Sequence, residues 1–97
     1  MEIVYKDALE YEFRQSSIQI EREKEYSVNY KGTRLPHNFC ADFVVFGNII
    51  LEVKSVKYIS EIHVAQAINY LKVSSNKAVL IINFFGGGSL THQRVVV

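Results

Sequence analysis

A chain of 97 residues with 48% hydrophobic side chains has room for one domain and a single core. Eleven basic residues against ten acidic ones leave a formal charge of +1, which excludes a strong global field drawing the chain to nucleic acid or membrane; a local patch stays open. No apolar run approaches the roughly 20 residues that span a bilayer, the acidic opening lacks the basic start of a signal peptide, and the lone Cys40 cannot close an internal disulfide. These features point to a cytoplasmic protein with no membrane partner.

In chain order, Tyr5, Ala8, Leu9 and Phe13 recur at helical spacing between Glu2 and about Gln15, with Glu10, Glu12 and Arg14 on other faces, so an amphipathic first helix is expected. No capping residue precedes it, which suggests that its natural start lies ahead of Met1. From Ile18 the period changes to two. Ile18 and Ile20, then Tyr26, Val28 and Tyr30, alternate with polar residues and predict a long strand bent within Glu23 to Glu25, with Tyr26 and Tyr30 on its packed face. Lys31-Gly32 is a turn signal, and Thr33 to Leu35 is extended up to Pro36, which confines it to an edge or a bulge.

Phe39 to Phe46 and Ile49 to Val56 read as central strands joined at Gly47-Asn48, with Cys40 in the core. Ser60 caps a second helix to about Val73, for which Ile62, Ala65, Ile68 and Leu71 give the expected core stripe. Ala78 to Phe85 is a further apolar strand, Gly86 to Ser89 a loop, and Arg94 to Val97 a short terminal strand. Helices and strands in this order predict one α/β domain over residues 1–97, with a mixed sheet flanked by helices.

Three charges interrupt the central hairpin. Glu52 and Lys54, two apart on a strand, leave by one face, whereas Ile49, Leu51 and Val53 leave by the other. A two-residue turn would set Asp42 opposite Val53; a three-residue loop of Phe46, Gly47 and Asn48 pairs Val45 with Ile49 and sets Asp42 opposite Glu52. The second register, or a bulge that produces the same outcome, is the expected one. Two facing carboxylates repel, and burying each ion costs several kcal/mol unless something compensates. A hard divalent cation does so, since Mg²⁺ takes oxygen ligands and commonly uses one or two carboxylates. Lys54 beside them could position a water or neutralise charge on a phosphate. The competing reading is a Glu52–Lys54 ion pair with Asp42 solvated at a strand end.

Asp42, then a hairpin, then Glu52-Val53-Lys54 on an apolar strand resembles the PD-(D/E)xK nuclease superfamily, with Ala41 standing where its Pro would be. Gln66 and Tyr70, at i and i+4 on the second helix, match the Gln-x-x-x-Tyr motif of its RecB-like branch. The whole chain is similar to the GxxExxY proteins of that superfamily: Glu2 to Tyr5 supplies ExxY, and ALEYEF, NYKGTRL, ADFVVFGNIILEVKS, AQAINYLK and LIINF follow in the family's order. The leading Gly would fall before Met1. The resemblance implies a restriction-endonuclease-like αβββαβ core. It implies a site in which Asp42, Glu52 and the Val53 carbonyl hold Mg²⁺ or Mn²⁺, joined by Glu2, with Lys54 orienting the attacking water. Gln66 would fix the water or a phosphate and Tyr70 would bind beside it. The implied activity is metal-assisted hydrolysis of nucleic-acid phosphodiesters, DNA before RNA.

Two further readings stand beside it: a nuclease-like domain that binds nucleic acid or a protein partner without cutting, and a homo-dimer that covers the first helix and the edge near Pro36. His37, His63 and His92 are scattered and do not suggest zinc. Gly86 to Gly88 lacks the Lys-Ser/Thr of a phosphate loop.

Overall fold

The structure, a computed structural model, describes residues 1–85 and 90–96. Helix α1 (Glu2–Gln15) leads to β1 (Ile20–Tyr26), a small ribbon of β2 (Asn29–Tyr30) and β3 (Thr33–Arg34), and the hairpin β4 (Phe39–Val45) and β5 (Ile49–Lys54). Helix α2 (Glu61–Ser74), β6 (Ala78–Asn83) and β7 (Thr91–Val95) complete the chain. The loop expected at Gly86 to Ser89 lies outside the described residues. Among those described, no helix is long and apolar enough to cross a membrane.

Five strands form one sheet in the order β1-β4-β5-β6-β7, antiparallel except for the β5–β6 pair, whose parallel crossover is made by α2. The mixed sheet carries a helix on each face, as the order of elements predicts and as the restriction-endonuclease-like core implied by the resemblance requires. On one face Tyr5, Leu9 and Phe13 of α1 pack on Phe43, Leu51 and Val53, with Phe13 edge-on to Phe43 at 5.7 Å. On the other, Ala67 and Leu71 of α2 meet Ala41, Val44, Ile50, Val79, Ile81 and Val95. Strand β5 lies between both layers, which is why its residues read as apolar on both faces.

Four sequence expectations need correction. The strand expected from Ile18 to Tyr30 ends at Tyr26, because the following residues fold into the separate β2–β3 ribbon, leaving Tyr30 59% exposed rather than packed. The packed stripe of α2 is Val64, Ala67, Ile68 and Leu71; Ile62 and Ala65 face solvent. Apolar residues lie on several faces of this helix, so periodicity allows two orientations, and only the sheet beneath chooses. Cys40 is exposed near the start of β4, where its Sγ–H donates to Glu23 Oε2 at 3.3 Å rather than packing in the core. The last strand begins at Thr91, earlier than its apolar end suggested, because it pairs with β6 from Asn83↔Thr91 to Val79↔Val95.

The β4–β5 register is the expected one: Val45↔Ile49, Val44↔Ile50 and Phe43↔Leu51. Phe46 (φ 55) and Gly47 (φ 75) both take positive φ, as the central residues of a type I′ turn do, and Asn48 N–H donates to the Val45 carbonyl at 3.3 Å. Asn48 is the extra residue that sets the register. Phe46 is 61% exposed, so a bulky side chain is held in the left-handed region with little burial in return. Phe46→Asn is therefore expected to stabilise the fold by about 1 kcal/mol in urea unfolding; a destabilised variant would show that the Phe46 ring contributes packing.

Candidate active site

The carboxylates meet where backbone pairing between β4 and β5 stops. One step past Phe43↔Leu51 the ladder would set Asp42 opposite Glu52, but there the Asp42 carboxylate takes over: its Oδ2 accepts the Val53 N–H at 2.8 Å. A matching break lies on the other side of β4. Arg22↔Phe43 and Lys24↔Ala41 are paired, and between them Glu23 sits at φ 57, in the left-handed region. Ala41 and Val44, three positions apart, both belong to the α2-side core, while Phe43 faces α1; regular alternation would not allow this. The register is one-for-one across this point, so no residue is inserted; the paired irregularity at Glu23 and Asp42 shifts the alternation, and Asp42 belongs to neither core cluster.

Glu52 is only 7% exposed, on the same face as Ile50, and among the described residues no hydrogen-bonding partner reaches its buried Oε1. Burial, and then the neighbouring Asp42 charge, push its pKa up to about 8, with Lys54 pulling the other way. Lys54 ends β5 and is half-buried. Tyr70 reaches the same place from α2. Burial and the charges of Glu52 and Asp42 raise its hydroxyl's pKa, and the nearby Gln66 amide works the opposite way. Gln66 itself is exposed. Glu2 lies at the start of α1, where its Oε2 accepts the Ser55 N–H at 3.2 Å, one residue past Lys54. The structure thus gathers Asp42, Glu52, Lys54 and Tyr70 at one end of the sheet, with Gln66 and Glu2 at its margins.

The loop beyond β5 is pinned by Asn83, which is buried and exchanges two hydrogen bonds with the Val56 backbone, at 2.9 and 2.8 Å. His63 belongs to the N-terminus of α2, where its Nδ1 accepts the Ser60 N–H at 3.0 Å; its role is a cap. A groove of about 330 Å³ lined by Asn48, Lys77 and Arg94 opens at the opposite end of the sheet and includes none of the carboxylates.

One residue of the site escaped sequence reasoning. Lys6 of α1 reaches across the sheet end and places its Nζ 3.1 Å from Asp42 Oδ1 and 2.6 Å from Glu23 Oε1, with a side chain only 14% exposed. Burial works against this ammonium, but Glu23 and Asp42 outweigh it and hold its pKa above the ordinary lysine value. Helical spacing pairs Lys6 equally well with Glu2 or Glu10, so no local signal marks it.

The donor set suits a hard cation. Two carboxylates close enough to perturb one another, one with a buried unpartnered oxygen, are an oxygen-only arrangement that an added positive charge would relieve. Among the described residues no three His, Cys, Asp or Glu side chains converge as a metal cluster, so Glu2 does not close a three-carboxylate site here.

A mixed sheet between two helices, with a carboxylate pair and a lysine at the end of its central hairpin, defines a nuclease-like α/β domain. Residues 1–95 match the PD-(D/E)XK nuclease superfamily, and the chain belongs to that superfamily. Among solved structures it is similar to SSO0001, with a TM-score of 0.71 and 17% identity, and to the alkaline exonuclease LHK-Exo from Laribacter hongkongensis, with a TM-score of 0.68 and 7% identity. Each likeness covers 96% of this chain but only 49% and 54% of the respective structures, so the chain spans about half their length. At such identities the likeness is one of fold. No curated protein matches the sequence.

Proposed function

We propose that this chain is a divalent-cation-dependent nuclease of the RecB-like, GxxExxY type that hydrolyses nucleic-acid phosphodiesters, DNA before RNA. The observation that carries this reading is the buried, unpartnered Glu52 oxygen beside Asp42, at the end of the strand that also presents Lys54. Asp42, Glu52 and the Val53 carbonyl would hold Mg²⁺ or Mn²⁺, with Glu2 at the margin. When bound, the cation would supply Lewis-acid polarisation of the phosphoryl group and lower the pKa of a water.

The chain's own groups do the rest. The Val53 N–H fixes one Asp42 oxygen and Lys6 the other, so the carboxylate is held in orientation before any ligand arrives. The Lys54 ammonium can hold the attacking water by hydrogen bonding and offset negative charge that develops on the phosphate. Gln66 and Tyr70 offer an amide and a hydroxyl to a water or a phosphate oxygen from the α2 side.

Lys6 also favours a second reading, because an internal ammonium already sits on Asp42. Such a site could bind nucleic acid and cut it weakly or not at all. Labelled single-stranded DNA, duplex DNA and RNA, incubated with the protein in Mg²⁺, in Mn²⁺ and in EDTA, separate the two. Cleavage confined to the cation-containing reactions supports the nuclease. Binding without cleavage supports the second reading, and cleavage that persists in EDTA contradicts the cation-dependent mechanism.

A further inference from the structure

The β2–β3 ribbon has no role in the core or in the carboxylate site, yet its composition departs from the rest of the chain. Between Tyr26 and Asp42 there is no Asp or Glu, while Lys31, Arg34 and His37 all fall there; strand β1 just before it carries Glu21, Glu23 and Glu25. All four strand residues of the ribbon are exposed. Tyr30 is 59% exposed, and the Lys31 Nζ lies 5.4 Å from its ring centroid. Lys31 (φ 51) and Gly32 (φ 78) make the tight turn, and Leu35 N–H donates to the Val28 carbonyl at 2.8 Å, so the ribbon is a defined arm.

Topology fixes where this arm emerges. It joins the end of β1 to the start of β4, and Tyr26 is paired with Phe39 at that point. The same two rings stack at 5.0 Å, and Phe39 stacks in turn on Tyr70 at 4.2 Å. An aromatic column therefore runs from the root of the ribbon to the tyrosine whose hydroxyl senses Glu52 and Asp42. Phe39 also begins the strand that delivers Asp42. The root of the arm is held at the end of the sheet where the candidate site lies.

We propose that the β2–β3 ribbon is a binding arm for an unpaired stretch of nucleic acid, with Tyr30 stacking on a base and Lys31 and Arg34 contacting phosphates; this rests on the nuclease reading above. An exposed tyrosine stacks most readily on a base already released from its duplex, whose whole face is open, and bracketing cations follow the backbone without reading sequence. The arm would hold a single-stranded segment beside the carboxylates.

The test is fluorescence anisotropy of a labelled oligothymidine and of a blunt duplex of equal length, in Ca²⁺. Tyr30→Ala is expected to weaken single-strand binding about tenfold and duplex binding far less, with Tyr30→Phe close to wild type. Lys31→Ala with Arg34→Ala is expected to weaken both and to lower the salt slope by about 1.4 for the single strand and about 1.8 for the duplex. These side chains are exposed, so the variants should unfold at the wild-type temperature. Wild type that binds and cuts, with ribbon variants equal to it, overturns the arm and leaves the nuclease intact. Wild type that neither binds nor cuts any substrate overturns the nuclease reading, and the arm with it.

Discussion

Lys54→Ala is expected to lower the turnover of phosphodiester cleavage by about 10²- to 10³-fold while leaving oligonucleotide affinity within about threefold. Loss of one group that stabilises developing charge has an effect of this size when the group acts in the transition state. Lys54 stands at the end of β5, half-buried, so its removal opens no cavity in either core layer. A deficit in kcat with KM almost unchanged would mark it as acting on the reaction rather than on binding. Lys57→Ala, three residues on and exposed, is the matching control and should retain wild-type turnover. A Lys54→Ala enzyme as fast as wild type would remove Lys54 from the mechanism.

The second large effect is on stability, and its sign depends on pH. In the folded chain burial and the Asp42 charge raise Glu52 from 4.5 to about 8. The folded state therefore binds a proton more readily than the unfolded one, and stability falls as pH rises from about 4.5 to about 8, then levels. In EDTA, Glu52→Gln, which is neutral at every pH, should be more stable than wild type above this window and similar to it below. A gap of a few kcal/mol is expected, at most about 5 from the shift itself. Added Mg²⁺ or Mn²⁺ should reverse the order at pH 8 by stabilising only the wild type through mass action. Thermal unfolding of both proteins at pH 5 and 9, with and without cation, shows either outcome. A wild type whose stability is flat across this range would mean that Glu52 ionises without penalty.

Much of this site was legible because strands obey a period of two. Asp42, Glu52 and Lys54 stand out in an apolar hairpin, and the count of loop residues alone sets the Val45↔Ile49 register that the structure shows. The irregularity at Asp42 is harder to read. The chain bends at Glu23, inside the expected window, but no pattern shows that this bend and the Asp42 side chain together end the strand pairing. Lys6 was invisible because its partners lie in other elements, and a lysine on a helix has equally good local alternatives. Ile62, Ala65 and Cys40 depart from the expected core for one reason, while Ile68 and Leu71 keep to it: apolar character says that a residue can be buried, and only the neighbouring layer decides whether it is. Alternation continues past Tyr26 and so predicts a packed Tyr30, whereas the Lys31-Gly32 turn folds that segment back on itself.

The measurement that bears most directly on the carboxylate pair is the initial rate of oligonucleotide cleavage at pH 8 against Mg²⁺ concentration, for wild type, Asp42→Asn and Glu52→Gln. Wild type should rise to saturation from no activity in EDTA, and neither variant should exceed background at any concentration. Variants that cleave at the wild-type rate, or a wild-type rate indifferent to the cation, would contradict a catalytic centre built on Asp42 and Glu52.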